Sequence, residues 1–157
     1  MRVVENSIIR PLPTEELINK EEQYWKVKIP ADYRNFISKN NGCVPVEKTF
    51  LFEKNKYVIE RFLCILEDSE NHEMGMYDID VNLTMLDARL ITDEDLVGAE
   101  LVPIAALFGG DFVCLDYYDD REKPQIAIWY NDESEDLDPS TNTISNSFEE
   151  FINMLFE

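Results

Sequence analysis

Positive charge nearly disappears after residue 66. Residues 67–157 hold 3 Lys/Arg against 24 Asp/Glu, whereas residues 1–66 hold 11 against 9. The net charge is -19. Such a field repels nucleic acid and anionic lipid and attracts basic surfaces. No basic patch with interleaved aromatics is present, so nucleic-acid binding is not expected. Histidine occurs once, as His72. With no CxxC pair and no HExxH run, a zinc site lacks ligands. A Ser-His-Asp or Cys-His nucleophile would have to use His72, which reads as an exposed loop residue. The 3 cysteines, Cys43, Cys64 and Cys114, are odd in number and widely spaced. They make no disulfide framework and point to a reducing, cytoplasmic setting. No apolar run approaches the about 18 residues of a membrane span. The opening MRVVENSIIRPLPTEE has no apolar segment, so no secretory leader is expected.

What remains is a chain of 157 residues with 45% apolar residues, including 9 Phe, 7 Tyr and 2 Trp. That supports one globular domain over 1–157 with a sizeable core. Thr14 caps a first helix, with Glu15 and Glu16 in its first turn and Leu17, Ile18, Tyr24 and Trp25 on one face. Pro30 opens a second helix carrying Tyr33, Phe36 and Ile37, and Asn41-Gly42 ends it. Thr49 to Leu66 reads as a hairpin around Lys54-Asn-Lys56. Residues 67–98 form an acidic, variable region containing a modest helix signal over Asp80 to Leu90. Leu101 to Ala105 contains Pro103, which suggests an edge strand or a strand start. Phe112 to Tyr118 and Gln125 to Tyr130 read as strands joined by a polar turn. Asn131 to Asn142 reads as a loop. Ser147 and Glu150 match a capping box before a last helix lined by Phe148, Phe151, Ile152 and Leu155. The order gives an α+β fold, with helices packed on one face of a mainly antiparallel twisted sheet.

Candidate chemistry is sparse. Asp78-Ile-Asp80-Val-Asn82 begins like a calcium loop, but Leu83 and Arg89 stand where that loop needs Gly and Glu. Asp132-Glu-Ser-Glu-Asp136 fails in the same way, at Leu137 and Thr143. Phe108-Gly-Gly lacks the Gly-Lys-Ser/Thr ending of a phosphate loop. No metal and no cofactor is expected. Asp111, Asp116, Asp119 and Asp120 could form a paired-carboxylate site. The alternative is that Asp111 caps a turn made by Gly109-Gly110 and that Phe112 to Leu115 is a doubly covered core strand. The second reading is favoured, since charges are rarely buried without partners.

The segment Ile29-Pro-Ala-Asp-Tyr-Arg-Asn-Phe-Ile-Ser-Lys-Asn-Asn-Gly42 resembles the helix motif of the SUKH superfamily, the Smi/Knr-type domains. Leu101-Val-Pro-Ile-Ala105 followed by Gly109-Gly-Asp-Phe-Val-Cys-Leu-Asp116 resembles its central strand pair. Ile126 to Trp129 and Ser147-Phe-Glu-Glu-Phe151 resemble the strand and helix that follow. The resemblance implies the α+β fold. For bacterial members it implies an immunity protein that neutralises a toxin, often a nuclease; eukaryotic members look like interaction scaffolds. It implies no catalytic residue. The positions that carry it here (Pro30, Tyr33, Gly42, Pro103, Gly109, Gly110, Asp111, Ser147 and Glu150) read as structural. The acidic stretch from Glu67 to Asp95 departs from the family pattern.

Charge and resemblance meet in one expectation. A basic protein toxin would be held by Asp116, Asp119, Asp120, Asp132, Glu133, Glu135 and Asp136, with Tyr117, Tyr118, Tyr130 and Trp129 as aromatic anchors. Strand pairing would put the 119–122 turn and the loop after Trp129 at opposite ends, giving two patches. Oligomeric state is left open.

Overall fold

The computed structural model describes residues 1–157. Thr14 starts α1 (Glu15–Trp25), its hydroxyl accepting the Leu17 amide. Two acids in the first turn face the positive end of the helix dipole. Ile18, Glu21 and Trp25 are the buried positions of this helix, one stripe at i, i+3 and i+7. α2 (Ala31–Asn40) buries Tyr33 and Ile37. Pro30 is the residue before α2, outside its first turn. Gly42 has φ +65, and a Cβ there would meet the Ile9 side chain at 2.4 Å. Only glycine suits both the conformation and the space.

Six strands follow in one antiparallel sheet whose spatial order is the chain order. They are β1 (Thr49–Phe52), β2 (Asn55–Phe62), β3 (Leu101–Leu107), β4 (Phe112–Asp116), β5 (Gln125–Trp129) and β6 (Thr141–Ser145). Between β2 and β3 lie α3 (Ile79–Leu86) and a 3-10 turn over Asp87–Leu90. α4 (Phe148–Asn153) closes the chain. The acidic 67–98 region is packed into the body, with Ile79 at 0% and Leu90 at 2% exposure.

Two expectations about the strands need correction. β3 is central, between β2 and β4. Pro103 is tolerated because the register shifts between Pro103 and Ala105, a bulge that spares the missing N–H. β6 falls in and beyond the stretch expected to be a loop. It is an edge strand with one apolar residue, held by β5.

Alternation along β4 explains the two cores. Val113 and Leu115 join a cluster of 25 buried residues with Ile18, Tyr33, Ile37, Phe148 and Phe151, so α1, α2 and α4 cover that face. Phe112, Cys114, Leu101 and Trp129 point the other way and meet Leu83, Leu86 and Leu90. The helices therefore dominate one face, while α3 and its 3-10 extension shield part of the second. β4 is doubly covered, as its apolar run implied.

The final helix shows how the local signals act. The Glu150 amide donates to Ser147 Oγ at 3.1 Å. The Glu150 carboxylate reaches back to the Asn146 amide, one residue before the cap itself. Phe148 then packs edge-on against Tyr33 at 5.1 Å. Ser147→Ala is expected to cost about 1 kcal/mol and Ser147→Gly only a few tenths, read from urea denaturation. Equal losses in the two variants would mean that the cap is not what holds this helix.

Candidate partner-binding surface

The β4–β5 connection and the loop after β5 carry most of the residues expected to meet a partner. Asp116 is half-buried at the end of β4, where its Oδ1 accepts the Tyr118 amide at 2.9 Å. Burial pushes its carboxyl above the ordinary carboxylate range, with Glu100 and Asp119 adding repulsion. Tyr118 projects outward, 66% exposed. Asp119 and Asp120 are exposed, and Asp120 also accepts the Glu122 and Lys123 amides to shape the turn. Arg121 pins this turn to the helix layer by donating to the Trp25 and Lys26 carbonyls at the end of α1. Gly98 closes the same corner; its φ is +97, and a Cβ there would meet the Trp25 carbonyl oxygen at 2.4 Å.

Two expected anchors are not on the surface. Tyr117 is 1% exposed and its hydroxyl donates to the Lys28 carbonyl at 2.7 Å. Trp129 is 0% exposed and its Nε1 donates to the Arg89 carbonyl at 2.9 Å. Both are core residues, so neither can present an aromatic face to a partner. Tyr117 follows Val113 and Leu115 at period two, which points it inward. Tyr130 is half-buried, and its hydroxyl accepts from Asn142 at 3.0 Å.

The loop after β5 is fastened from below. Arg89 stacks over the Trp129 ring at 5.0 Å and donates to the carbonyls of Asn131 and Ser134. Asp111 accepts the Asn131 amide at 2.9 Å, so it ties the Gly109-Gly110 turn to this loop rather than entering a catalytic pair. Asp132, Glu133, Glu135 and Asp136 are left exposed. Strand register places Asp116 against Gln125 and Phe112 against Trp129, so the two acidic segments do start from opposite ends of the pair. The loop then folds back over the second face, and Pro139 and Thr141 line one 180 Å³ cavity with Asp116 and Tyr118.

The acids of this half are not neutralised within the chain. Its four ion pairs all involve Arg2 or Arg34, and Glu157 is the only acid beyond residue 66 among them. Arg89 and Arg121 direct their donors to carbonyl and amide oxygens instead.

No nucleophile is poised. Burial holds the Cys43 and Cys64 thiols up at about 12, and the fully buried Cys114 is raised as well. His72 is half-buried, not exposed as expected. Its Nδ1 accepts the Met74 amide at 2.9 Å, so its Nε2–H is the donor to the Arg10 carbonyl at 2.7 Å. Asp78 caps α3 by accepting the Val81 amide, and also accepts the Leu66 amide. No group of three or more His, Cys, Asp or Glu side chains is arranged to hold a metal ion. No helix is long and apolar enough to cross a membrane.

A carboxyl that the composition did not single out is Glu21. It is 8% exposed, and no donor of the chain reaches its Oε2. Burial and the neighbouring Asp80 push its carboxyl up to about 8. The signal was present in the sequence, since an acid sits between Ile18 and Trp25 on an apolar helical stripe.

Comparison with known proteins agrees with the architecture. The family model SUKH_6, described as SMI1-KNR4 cell-wall, matches residues 15–152. A relative from Bacillus subtilis (strain 168), described as SPbeta prophage-derived uncharacterized protein YokK, is 26% identical over 149 residues, covering 88% of this chain and 72% of its own. No solved structure matches. The acidic middle region lies inside the family match, and the chain belongs to the SUKH_6 family of SMI1-KNR4-type domains.

Proposed function

We propose that this protein is an immunity protein: a stoichiometric, non-enzymatic inhibitor that binds and neutralises a basic protein toxin, with a nuclease as the best-fitting class. The observation that carries this reading is the anionic half whose acids lack cations of their own. A segment with 24 acids and 3 cations, most of the acids at the surface, leaves its field for a partner to complete. A nuclease needs a basic groove for phosphates, which such a surface complements. Tyr118 is the exposed aromatic that remains as an anchor beside Asp116, Asp119 and Asp120.

Replacing Asp132, Glu133, Glu135 and Asp136 together by Asn or Gln is expected to slow association with the toxin about tenfold at low salt, with dissociation little changed. The thermal midpoint should stay within a few degrees, because all four side chains are exposed. Stopped-flow binding across a salt series measures this, and an unchanged association rate removes the loop from the interface. The Smi/Knr-type resemblance gives a second reading, an interaction scaffold. That reading expects several weak partners rather than one tight one.

A further inference from the structure

A pocket of 590 Å³ opens between α1 and the Leu66–Ser69 turn, with Asp78 and Asp80 on its far wall. Glu21 lines it from α1. The residue is more than nine-tenths buried, yet no N–H or O–H of the chain donates to Oε2. Asp78 accepts the Leu66 and Val81 amides, one on each oxygen. One oxygen of Asp80 accepts Trp25 Nε1 at 2.7 Å, and its carboxyl stands beside Glu21. Tyr24, 72% exposed, is shared by this pocket and the neighbouring 610 Å³ cavity. Lys20 and Lys26 stand at the rim, but neither joins an ion pair. With Glu67 at the turn, acids outnumber bases here four to two. A buried acceptor with no donor, a second carboxylate beside it and an exposed aromatic at the mouth match one chemical group. A guanidinium offers several N–H donors in a planar fork and stacks on an aromatic ring.

We propose that this pocket is a docking site for an arginine side chain of a basic protein partner, with Glu21 and Asp80 as acceptors and Tyr24 as the stacking face. The inference deepens the immunity reading and rests on its basic partner. In the free protein Glu21 keeps its proton up to about pH 8, since burial and the neighbouring Asp80 raise it. The incoming cation replaces that proton, which leaves to solvent. Affinity should therefore rise with pH up to about 8, as less proton remains to be displaced.

The test is a carbon-detected NMR titration of the Glu21 carboxyl in the intact protein. The probe is acetyl-Gly-Arg-Gly-amide up to about 0.1 M, a range that reaches very weak binding. Its neutral isostere, the citrulline peptide, is the control. The arginine peptide is expected to shift the Glu21 carboxyl and Tyr24 ring signals and to lower the Glu21 midpoint by at least one pH unit. The citrulline peptide should do neither, and Glu21→Gln should abolish the Tyr24 response. Equal responses to the two peptides, or none at Glu21, overturn the site. No toxin enters this experiment, so the two claims fail separately. A toxin whose affinity falls less than about threefold in Glu21→Gln sinks the pocket and leaves immunity standing; the expected loss is about tenfold.

Discussion

Trp129→Ala is expected to lower the unfolding free energy by about 4 kcal/mol. Trp129 has no solvent exposure. Its ring packs at a tilt on Phe112, with centroids 6.0 Å apart, and lies under the Arg89 guanidinium at 5.0 Å. Its Nε1 bonds the Arg89 carbonyl. Truncation therefore opens a cavity in the smaller core and frees Arg89 from the ring. Arg89 in turn holds the Asn131 and Ser134 carbonyls, so the acidic loop should loosen as well. Trp129→Phe keeps most of the packing and loses the hydrogen bond, which should cost about 1–2 kcal/mol. Urea denaturation of both variants gives the free energies, and amide exchange at 131–138 reports the loop. A loss below about 1.5 kcal/mol for the alanine variant would mean that the second face of the sheet contributes little. A domain of this size holds only about 5–15 kcal/mol in all, so the alanine variant should lose a large share of its stability.

The second large effect is a pH dependence that one substitution removes. Glu21 ordinarily titrates near 4.5 but is held up at about 8 in the folded chain, chiefly by burial and then by Asp80. Between those values the folded state carries a proton that the unfolded state has given up. Stability is therefore fully present below about pH 4.5 and falls as pH rises through 8. The slope is bounded by about 1.4 kcal/mol per pH unit. Local relaxation and water penetration around the buried carboxyl should hold the total to about 2 kcal/mol. In Glu21→Gln no proton is taken up or lost at this position at any pH. Its stability relative to the parent is expected to climb by about 2 kcal/mol between pH 5 and pH 9, with the two proteins nearly equal at the acid end. Parallel stability profiles would show that Glu21 does not hold the proton. Asp78 and Asp116 are also raised by burial, which affects stability in the acid range. The buried thiols add a loss only in the alkaline range. Comparison of the two proteins cancels these shared contributions.

The local elements were readable because each had a local cause. Thr14 and Ser147 cap helices through their own hydroxyls. The run from Phe112 to Leu115 buried both its faces, as an unbroken apolar strand should. β6 was hidden because Thr141-Asn-Thr-Ile-Ser145 has almost no apolar pattern; its position comes from pairing with β5. Pro103 pointed to an edge because the bulge that accommodates it is a property of two strands together. Trp129 looked like a surface anchor because its cover, Leu90 and Arg89, comes from a distant acidic segment folded over the second face. Glu21 could be picked out on its helical stripe. Its neighbour Asp80 could not, because tertiary packing brings α3 beside α1, where Trp25 bonds Asp80.

The central claim is a single basic partner bound through charge. The direct measurement is to immobilise the tagged protein, expose it to lysate of its own organism, elute with rising salt and identify the fractions by mass spectrometry. One basic protein, retained in equal amount to the bait, released mainly at high salt and toxic to cells that lack this chain, is the expected result. Several loosely held housekeeping proteins, or a tight partner that is acidic and insensitive to salt, would contradict it.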